Sequence, residues 1–397
     1  MSGKVKVLNG IDRPEVLDKL LRGARIGLAT GGSAVDRYLT PCVDVLAARF
    51  NVTALFNTIL GIRGEYRLGE TTPFYTDAAT GLPAYSIFSR QCAAPTEEML
   101  SAVDIVVFDI KEAGVRFYEY LACAANVLKA CAKAGKPMVV LDRAAPIGGE
   151  IVEGTVCPSA MHTVVGDYGL PTRTALTLGE FCRYVNGEFS VGCDLHVVKV
   201  EGWRRGLYYD ETDLPWVLPS PSLPTTESNI IYAGMCIFEG IDNISEGRGT
   251  TQPFQLIGAP WMAGSEVAMR MRRRGLDGAT FGPAYFKPTY GPFAHELCSG
   301  IQVHVSDRRE YQSFRTALVL LEEIRALYGD KLIYRDTSAG HDVAEELSEP
   351  VFTKYLEKIL AVPGYLDSGL SADALIDAHA SGRAAYTHAK QKYHLYE

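Results

Sequence analysis

Long apolar runs are missing from these 397 residues. Nowhere does the sequence approach the roughly 18 to 20 consecutive apolar side chains that a membrane-crossing helix needs. The opening segment MSGKVKVLNGIDRPEVLDKL carries charged and polar residues where a secretory leader would carry its apolar stretch. A soluble protein of the cytoplasm with no membrane partner is expected. The nine cysteines are odd in number and form no CxxC pair, which argues against both a disulfide framework and a zinc site and casts them as reduced core residues. The eight histidines are isolated, HExxH is absent, and His162, His196 and His304 stand alone. No metal and no cofactor are therefore expected. A GxSxG elbow is also lacking, and no cysteine sits in a glycine-marked helix start that would lower its pKa, so covalent acyl chemistry is disfavoured. Gly31-Gly32-Ser33 follows an apolar run but matches neither GxGxxG nor the P-loop, and reads as a tight strand-to-helix turn. Internal repeats, low-complexity tracts and heptads are absent too, and the basic MRMRRRG cluster reads as a solvated helix face.

What is present is an ordinary globular composition, 47% hydrophobic and 22% charged, able to offset chain entropy by burial. The formal charge of −8 surrounds the molecule with a negative field that opposes nucleic acid and anionic membranes as partners. The length suits two domains.

Short apolar runs alternate with helix-compatible stretches. Ala24 to Thr30, Asn51 to Asn57, Ala84 to Ser89, Asp104 to Ile110, Lys136 to Arg143 and Asp194 to Val200 read as strands, and Arg116 to Ala134 and Leu178 to Phe189 as helical. Near-continuous apolar strands imply a parallel sheet covered on both faces, so the fold class is α/β, a Rossmann-like, doubly wound, mostly parallel sheet. From about Gly258 the pattern changes: an Arg-rich helix, the strand-like GIQVHVSD and a helix from Glu310 to Tyr328 suggest a smaller C-terminal α+β domain. The expected division is 1–257 and 258–397, with the cleft between. Four prolines in LPWVLPSPSLPTTE, from Leu214, forbid regular structure and favour an extended strap, sometimes one wall of a cleft.

Ligands of open parallel sheets sit beyond the carboxyl ends of the strands. Those ends carry Asn57, Asp109 with Lys111 and Glu112, and Asp142 with Arg143. Arg63, in Gly-Ile-Arg-Gly-Glu after the second strand, offers a bidentate fork to an anionic ligand, or simply braces a turn. Asp109 with Arg116 and Tyr118 brings an acid, a cation and aromatic rings to the start of the next helix, where capping is the structural alternative. Asp142 and Arg143 precede Gly148-Gly149 and Glu153, and here an Asp–Arg ion pair would be architecture. Glu239 and the loop Ser245-Glu246-Gly247-Arg248-Gly249-Thr250-Thr251 form the densest motif, too polar to bury cheaply unless paired. A carboxylate- and Arg-rich cleft suits a polar, hydroxylated or anionic small molecule, and paired acids suit glycoside hydrolysis.

Taken together, GIRG at Gly61, TGLPAYS at Thr80, EMLSAVDIVVFDI at Glu98, GVRFYEY at Gly114, LDR at Leu141, the glycines and VEG up to Gly154, LPWVLPSPSLPT, SEGRGTT and GAPW at Gly258 resemble the NamZ (YbbC-like) exo-β-N-acetylmuramidases. The resemblance is collinear over roughly residues 10–262 and weaker beyond. It implies a Rossmann-like N-terminal domain, a smaller C-terminal domain, a cleft between them, and removal of terminal N-acetylmuramic acid from peptidoglycan fragments. The lactyl carboxylate of that sugar would suit Arg63, Arg116, Arg143 or Arg248.

The sequence also departs from the family's pattern. Where the family reads GPEHG, this chain has Asn57-Thr58-Ile59-Leu60-Gly61, replacing an acid and a histidine with two aliphatic residues that cannot transfer protons. PNP after LDR becomes Ala144-Ala145-Pro146, RHGMT becomes Arg173-Thr174-Ala175-Leu176-Thr177, and FDIQD becomes Phe108-Asp109-Ile110-Lys111-Glu112. The leading expectation is a NamZ-like glycoside hydrolase acting on an amino sugar or peptidoglycan fragment, with Glu153 and Glu246 as acid or base. Arg63, Asp109, Arg116, Tyr118, Asp142, Arg143, Glu239 and Arg248 would bind substrate. Two rivals are weighed beside it: a lyase or transferase on the same scaffold, motivated by Lys111 and Glu112, and a catalytically silent sugar-binding protein, motivated by Ile59 and Leu60.

Overall fold

The computed structural model describes residues 3–66, 70, 72–88, 93–158, 161–337 and 352–397. Its first strands are β1 (Ile26–Thr30), β2 (Val52–Asn57), β3 (Phe74–Thr76), β4 (Pro83–Ser86), β5 (Ile105–Asp109), β6 (Met138–Leu141), β7 (Glu153–Val156), β8 (Pro171–Arg173) and β9 (Leu195–Val198). Seven of them form one sheet in the order β3-β4-β2-β1-β5-β6-β9. Every pairing in it is parallel except that of β3 with β4. The α/β, Rossmann-like fold expected from the apolar runs is what forms.

All residues of β1, β5 and β6 are buried, because helices cover both faces. Alternation along the strands divides their side chains between two cores. Leu28, Leu55, Val107 and Val139 pack with Leu17 and Leu21 of α1 (Pro14–Leu21) and Val43 and Leu46 of α2 (Cys42–Arg49). Ala29, Phe56, Val106, Phe108 and Val140 face Leu100 of α3 (Glu97–Ser101), Leu121 and Val127 of α4 (Tyr120–Ala134) and Phe181 of α5 (Leu178–Glu188). Helix α4 stops at Gly135, whose φ of 61° admits the left-handed turn that returns its amide to the Ala132 and Cys131 carbonyls. Thr177 and Glu180 form a capping box at the start of α5.

The second unit contains α6 (Thr226–Met235), α7 (Gly264–Arg273) and α8 (Ser313–Tyr328) beside an antiparallel sheet of β10 (Leu256–Ala259), β11 (Ala279–Phe286) and β12 (Cys298–Val305), ordered β10-β12-β11. Beyond it come α9 (Tyr355–Leu360), α10 (Ala372–Ala378) and α11 (Ala380–Lys390). The core on the α4 face continues into this unit through Ile230, Ile231, Leu318, Leu321 and Leu356, so the two share apolar packing. The chain then returns to the first unit: the Tyr386 hydroxyl donates to the Thr174 carbonyl, and the Arg205 amide donates to the Glu397 carbonyl.

Leu214 to Thr225 forms neither helix nor strand, as its four prolines require. The eight described cysteines are buried and unbonded to one another. The expected strand end at Ser89 lies outside the described residues.

Candidate functional site at the carboxyl ends of the strands

Three strand ends present buried polar atoms that lack a partner among the described residues: Ser33 Oγ after β1, Asn57 Oδ1 at the end of β2 and Ser86 Oγ at the end of β4. The next end, on β5, holds a buried ion pair. Arg143 Nε and Nη2 donate to the Asp109 oxygens at 2.5 and 2.8 Å, and Arg143 Nη1 reaches the Val35 carbonyl at 2.9 Å. Burial by itself would lower the Arg143 pKa; the Asp109 carboxylate reverses that and raises it. The pair joins neighbouring strands and fixes their ends relative to each other.

Asp142 is fully buried and accepts four hydrogen bonds: from Thr177 Oγ1 at 2.6 Å, the Gly179 amide at 2.8 Å, the Arg143 amide at 3.0 Å and the Tyr396 hydroxyl at 2.6 Å. Burial raises its pKa to about 6, against the lowering by Thr177 and Tyr396. It anchors α5 and the returning chain to the sheet.

Lys111 and Glu112 follow β5, and both are buried. The Lys111 ammonium donates to the Val217 carbonyl at 2.9 Å and lies 3.8 and 3.7 Å from the ring centres of Tyr209 and Trp216. Burial, and then Arg143, lower its pKa well below that of an exposed lysine. Glu112 takes the Gly114 amide hydrogen, and no ion pair joins it to a cation among the described residues. Burial raises Glu112 to about 8, with Asp142 adding to the rise and Lys111 opposing it. It is a carboxylic acid, not a carboxylate, at neutral pH.

The proline strap forms a wall beside these residues. It contributes Trp216 and the Val217 carbonyl to Lys111 and a Ser220 hydrogen bond to Tyr118. From Tyr118 a line of rings leads into the second unit. Tyr118 meets Tyr232 with centres 6.2 Å apart, Tyr232 meets Phe254 at 4.7 Å, and the Arg248 guanidinium lies 5.4 Å over Phe254. Burial, followed by Tyr120, Glu119 and Glu112, holds the Tyr118 hydroxyl protonated.

Arg248 stands between two acids, with Nη2 2.5 Å from Glu239 and Nε 2.6 Å from Glu246. The Nε contact is close but poorly aligned, so Nε has no proper hydrogen bond, and it is better described as an ionic contact. Burial raises the Glu239 pKa, Arg248 lowers it, and Glu246 raises it again.

Three of the other expected residues are bonded within the protein. Arg63 makes paired bonds to Asp44 (3.0 and 2.7 Å) and Asp77 (2.7 and 2.9 Å), braces its own loop, and has its pKa raised chiefly by Asp77. Arg116 is buried and donates to the Val165 and Ile359 carbonyls at 3.0 and 2.9 Å. Glu153 accepts the Phe314 amide at 2.7 Å at the start of α8, where a carboxylate complements the helix dipole. Burial nonetheless raises its pKa. Glu153 and Glu246 share no hydrogen-bond partner among the described residues.

The structure therefore brings Asp109, Asp142, Arg143 and Tyr118 to the strand ends, and Glu239, Glu246 and Arg248 to the facing loop. Glu112 was visible in the sequence only as one of several strand-end residues. Its distinguishing property is that no ion pair joins it to a cation among the described residues, which depends on tertiary packing. No group of three or more His, Cys, Asp or Glu that could hold a metal occurs among the described residues. No helix among them is long and apolar enough to cross a membrane.

The N-terminal model of the exo-β-N-acetylmuramidase NamZ family matches residues 26–227, and the C-terminal model matches 230–396. The peptidoglycan β-N-acetylmuramidase NamZ of Bacillus subtilis (strain 168) is 37% identical over 397 residues, covering 99% of this chain and 92% of that protein. A crystal structure of a DUF1343 family protein from Bacteroides fragilis superposes with a TM-score of 0.89 at 30% identity, over 99% of this chain and 100% of that one. A second from the same organism, 24% identical with a TM-score of 0.77 over 99% of each chain, shares the fold. Matched along nearly its whole length, this chain belongs to the NamZ exo-β-N-acetylmuramidase family.

Proposed function

We propose that this protein is a glycoside hydrolase that releases a terminal β-linked N-acetylmuramic acid from peptidoglycan fragments, the type of activity named for its Bacillus subtilis relative. One observation carries the assignment at the level of residues: the Tyr118–Tyr232–Phe254 rings join the strand-end acid Glu112 to the Glu239–Arg248–Glu246 loop. Acids from both units are thus linked through one run of packed aromatic side chains, and a pair of carboxyl groups is what glycoside hydrolysis uses.

In this role Glu112 gives its proton to the glycosidic oxygen as the bond to the anomeric carbon breaks. Water adds to that carbon from the other side and loses a proton to the Glu246 carboxylate, the general base. A pKa near 8 keeps Glu112 protonated at neutral pH, as a general acid must be. It stands in for the acid and histidine whose places Ile59 and Leu60 occupy. Arg63, Arg116 and Arg143 are committed to protein acceptors. We assign the lactyl carboxylate to Arg248, whose partly exposed side chain stands beside Glu246 and Glu239.

The test is release of para-nitrophenol from para-nitrophenyl β-N-acetylmuramide by the purified protein and by Glu246→Gln. Turnover by the wild type that disappears in the variant is expected. No turnover by the wild type would overturn the proposal.

A further inference from the structure

The loop between β11 and β12 is fastened to the backbone beside Arg248. The Gly249 carbonyl accepts from the Thr289 amide at 2.9 Å and from Thr289 Oγ1 at 3.0 Å. Gly249 has a φ of +82°, and a Cβ there would come within 2.8 Å of the Tyr290 amide, so the backbones of the two loops touch. Tyr290 is therefore held next to the Glu239–Arg248–Glu246 cluster, yet 55% of it is exposed to solvent.

Single exposed aromatics are ordinary, but this segment has more. Tyr285, at 70%, and Leu297, at 57%, flank it on the same hairpin. The loop is also fixed in a costly shape. Phe293 and His295 have φ of 60° and 67°, a region that side-chain-bearing residues avoid. The turn is closed by the His295 amide on the Pro288 carbonyl at 2.7 Å and the Glu296 amide on the Phe293 carbonyl at 2.9 Å. A backbone held in such a conformation is a feature of ligand clamps and sites. Tyr290 belongs to this closed loop and is exposed to water.

We propose that Tyr290 is a stacking platform for the sugar on the leaving-group side of the scissile bond, an inference that rests on the glycan-cleaving role assigned above. A pyranose offers a face of C–H groups bordered by hydroxyls. A tyrosine offers a flat apolar ring with a hydroxyl at its edge, so the two match in both respects. An enzyme that removes terminal sugars must enclose one residue in its cleft and support the next one at the rim, and Tyr290 stands at that rim.

The experiment is calorimetric titration of wild type, Tyr290→Ala and Tyr290→Phe with two ligands: N-acetylmuramic acid, and a disaccharide carrying a terminal β-N-acetylmuramic acid, in the catalytically impaired Glu246→Gln background. Tyr290→Ala is expected to weaken the disaccharide about tenfold while leaving the monosaccharide unchanged, with Tyr290→Phe near wild type. Equal disaccharide affinity in Tyr290→Ala, or equal weakening of both ligands, would overturn the inference. Selective weakening in a protein whose wild type shows no hydrolysis would support the platform while refuting the hydrolase assignment. A protein that binds neither ligand would refute both.

Discussion

Asp109 and Arg143 close a bidentate ion pair across the ends of adjacent strands, at 2.5 and 2.8 Å, with Asp109 wholly buried. Taking away one member leaves the other charge buried without a counter-charge. Asp109→Ala should lower unfolding free energy by about 3–5 kcal/mol in urea titration. Replacing both residues with apolar side chains of similar volume, Asp109→Leu with Arg143→Met, should cost much less. A single substitution that proves as mild as the double would show that water reaches the pair.

As the proposed general acid, Glu112 should set the alkaline limit of activity. Its acid form persists up to about pH 8, so kcat on a disaccharide substrate should hold below that pH and fall as pH rises through it. Glu112→Gln should reduce this rate by about 10²–10⁴-fold. A para-nitrophenyl substrate, whose leaving group needs little protonation, should suffer far less. Equal losses on the two substrates would remove Glu112 from the role of proton donor. Stability follows the same sign. The folded pKa lies above the ordinary 4.5, so wild type should lose stability between about pH 4.5 and 8 relative to Glu112→Gln.

The strands were legible wherever burial on both faces made them continuously apolar, as in Ile105–Asp109 and Met138–Leu141. β3 was not, because two of its three residues are exposed, nor was the β7–β8 pair, which carries Glu153, Thr172 and Arg173. The expected domain junction at residue 257 falls within β10, Leu256–Ala259. Site residues were legible as types but not as partners. Glu153 looked like a catalytic acid since its acceptor role at Phe314 spans 161 residues. Lys111 was legible only as a strand-end residue, since Tyr209 and Trp216 close over it from about a hundred positions later. Local pattern reports hydrophobic period and chemical type, whereas pairing of charges is settled by the tertiary fold.

Arg248 balances Glu239 and Glu246. Arg248→Ala would leave two neighbouring acids, of which Glu239 is already raised in pKa by burial. A stability loss of about 3–5 kcal/mol at pH 7 is expected. Adding Glu239→Gln should recover part of it, because the remaining carboxylate no longer has a charged neighbour. Strict additivity in this double-mutant cycle would show that the two sites do not interact.

Tyr396 and Asp142 give the clearest pH signature. The folded carboxyl has a pKa of about 6 against an ordinary 3.8, so the folded chain binds the extra proton between those values. The associated stability is complete below about pH 4 and lost as pH rises through 6. The 2.6 Å bond from the Tyr396 hydroxyl favours the charged form. Tyr396→Phe should therefore push the Asp142 pKa higher and extend that window upward. It should cost on the order of 1–2 kcal/mol at pH 7, where the lost bond was to a carboxylate, and less at pH 4, where the carboxyl is neutral in both proteins. Denaturant unfolding of the two proteins at pH 4 and 7 decides it. A difference that is the same at both values would mean that Tyr396 contributes packing against Trp203, whose ring centre lies 5.1 Å away, and does not tune Asp142.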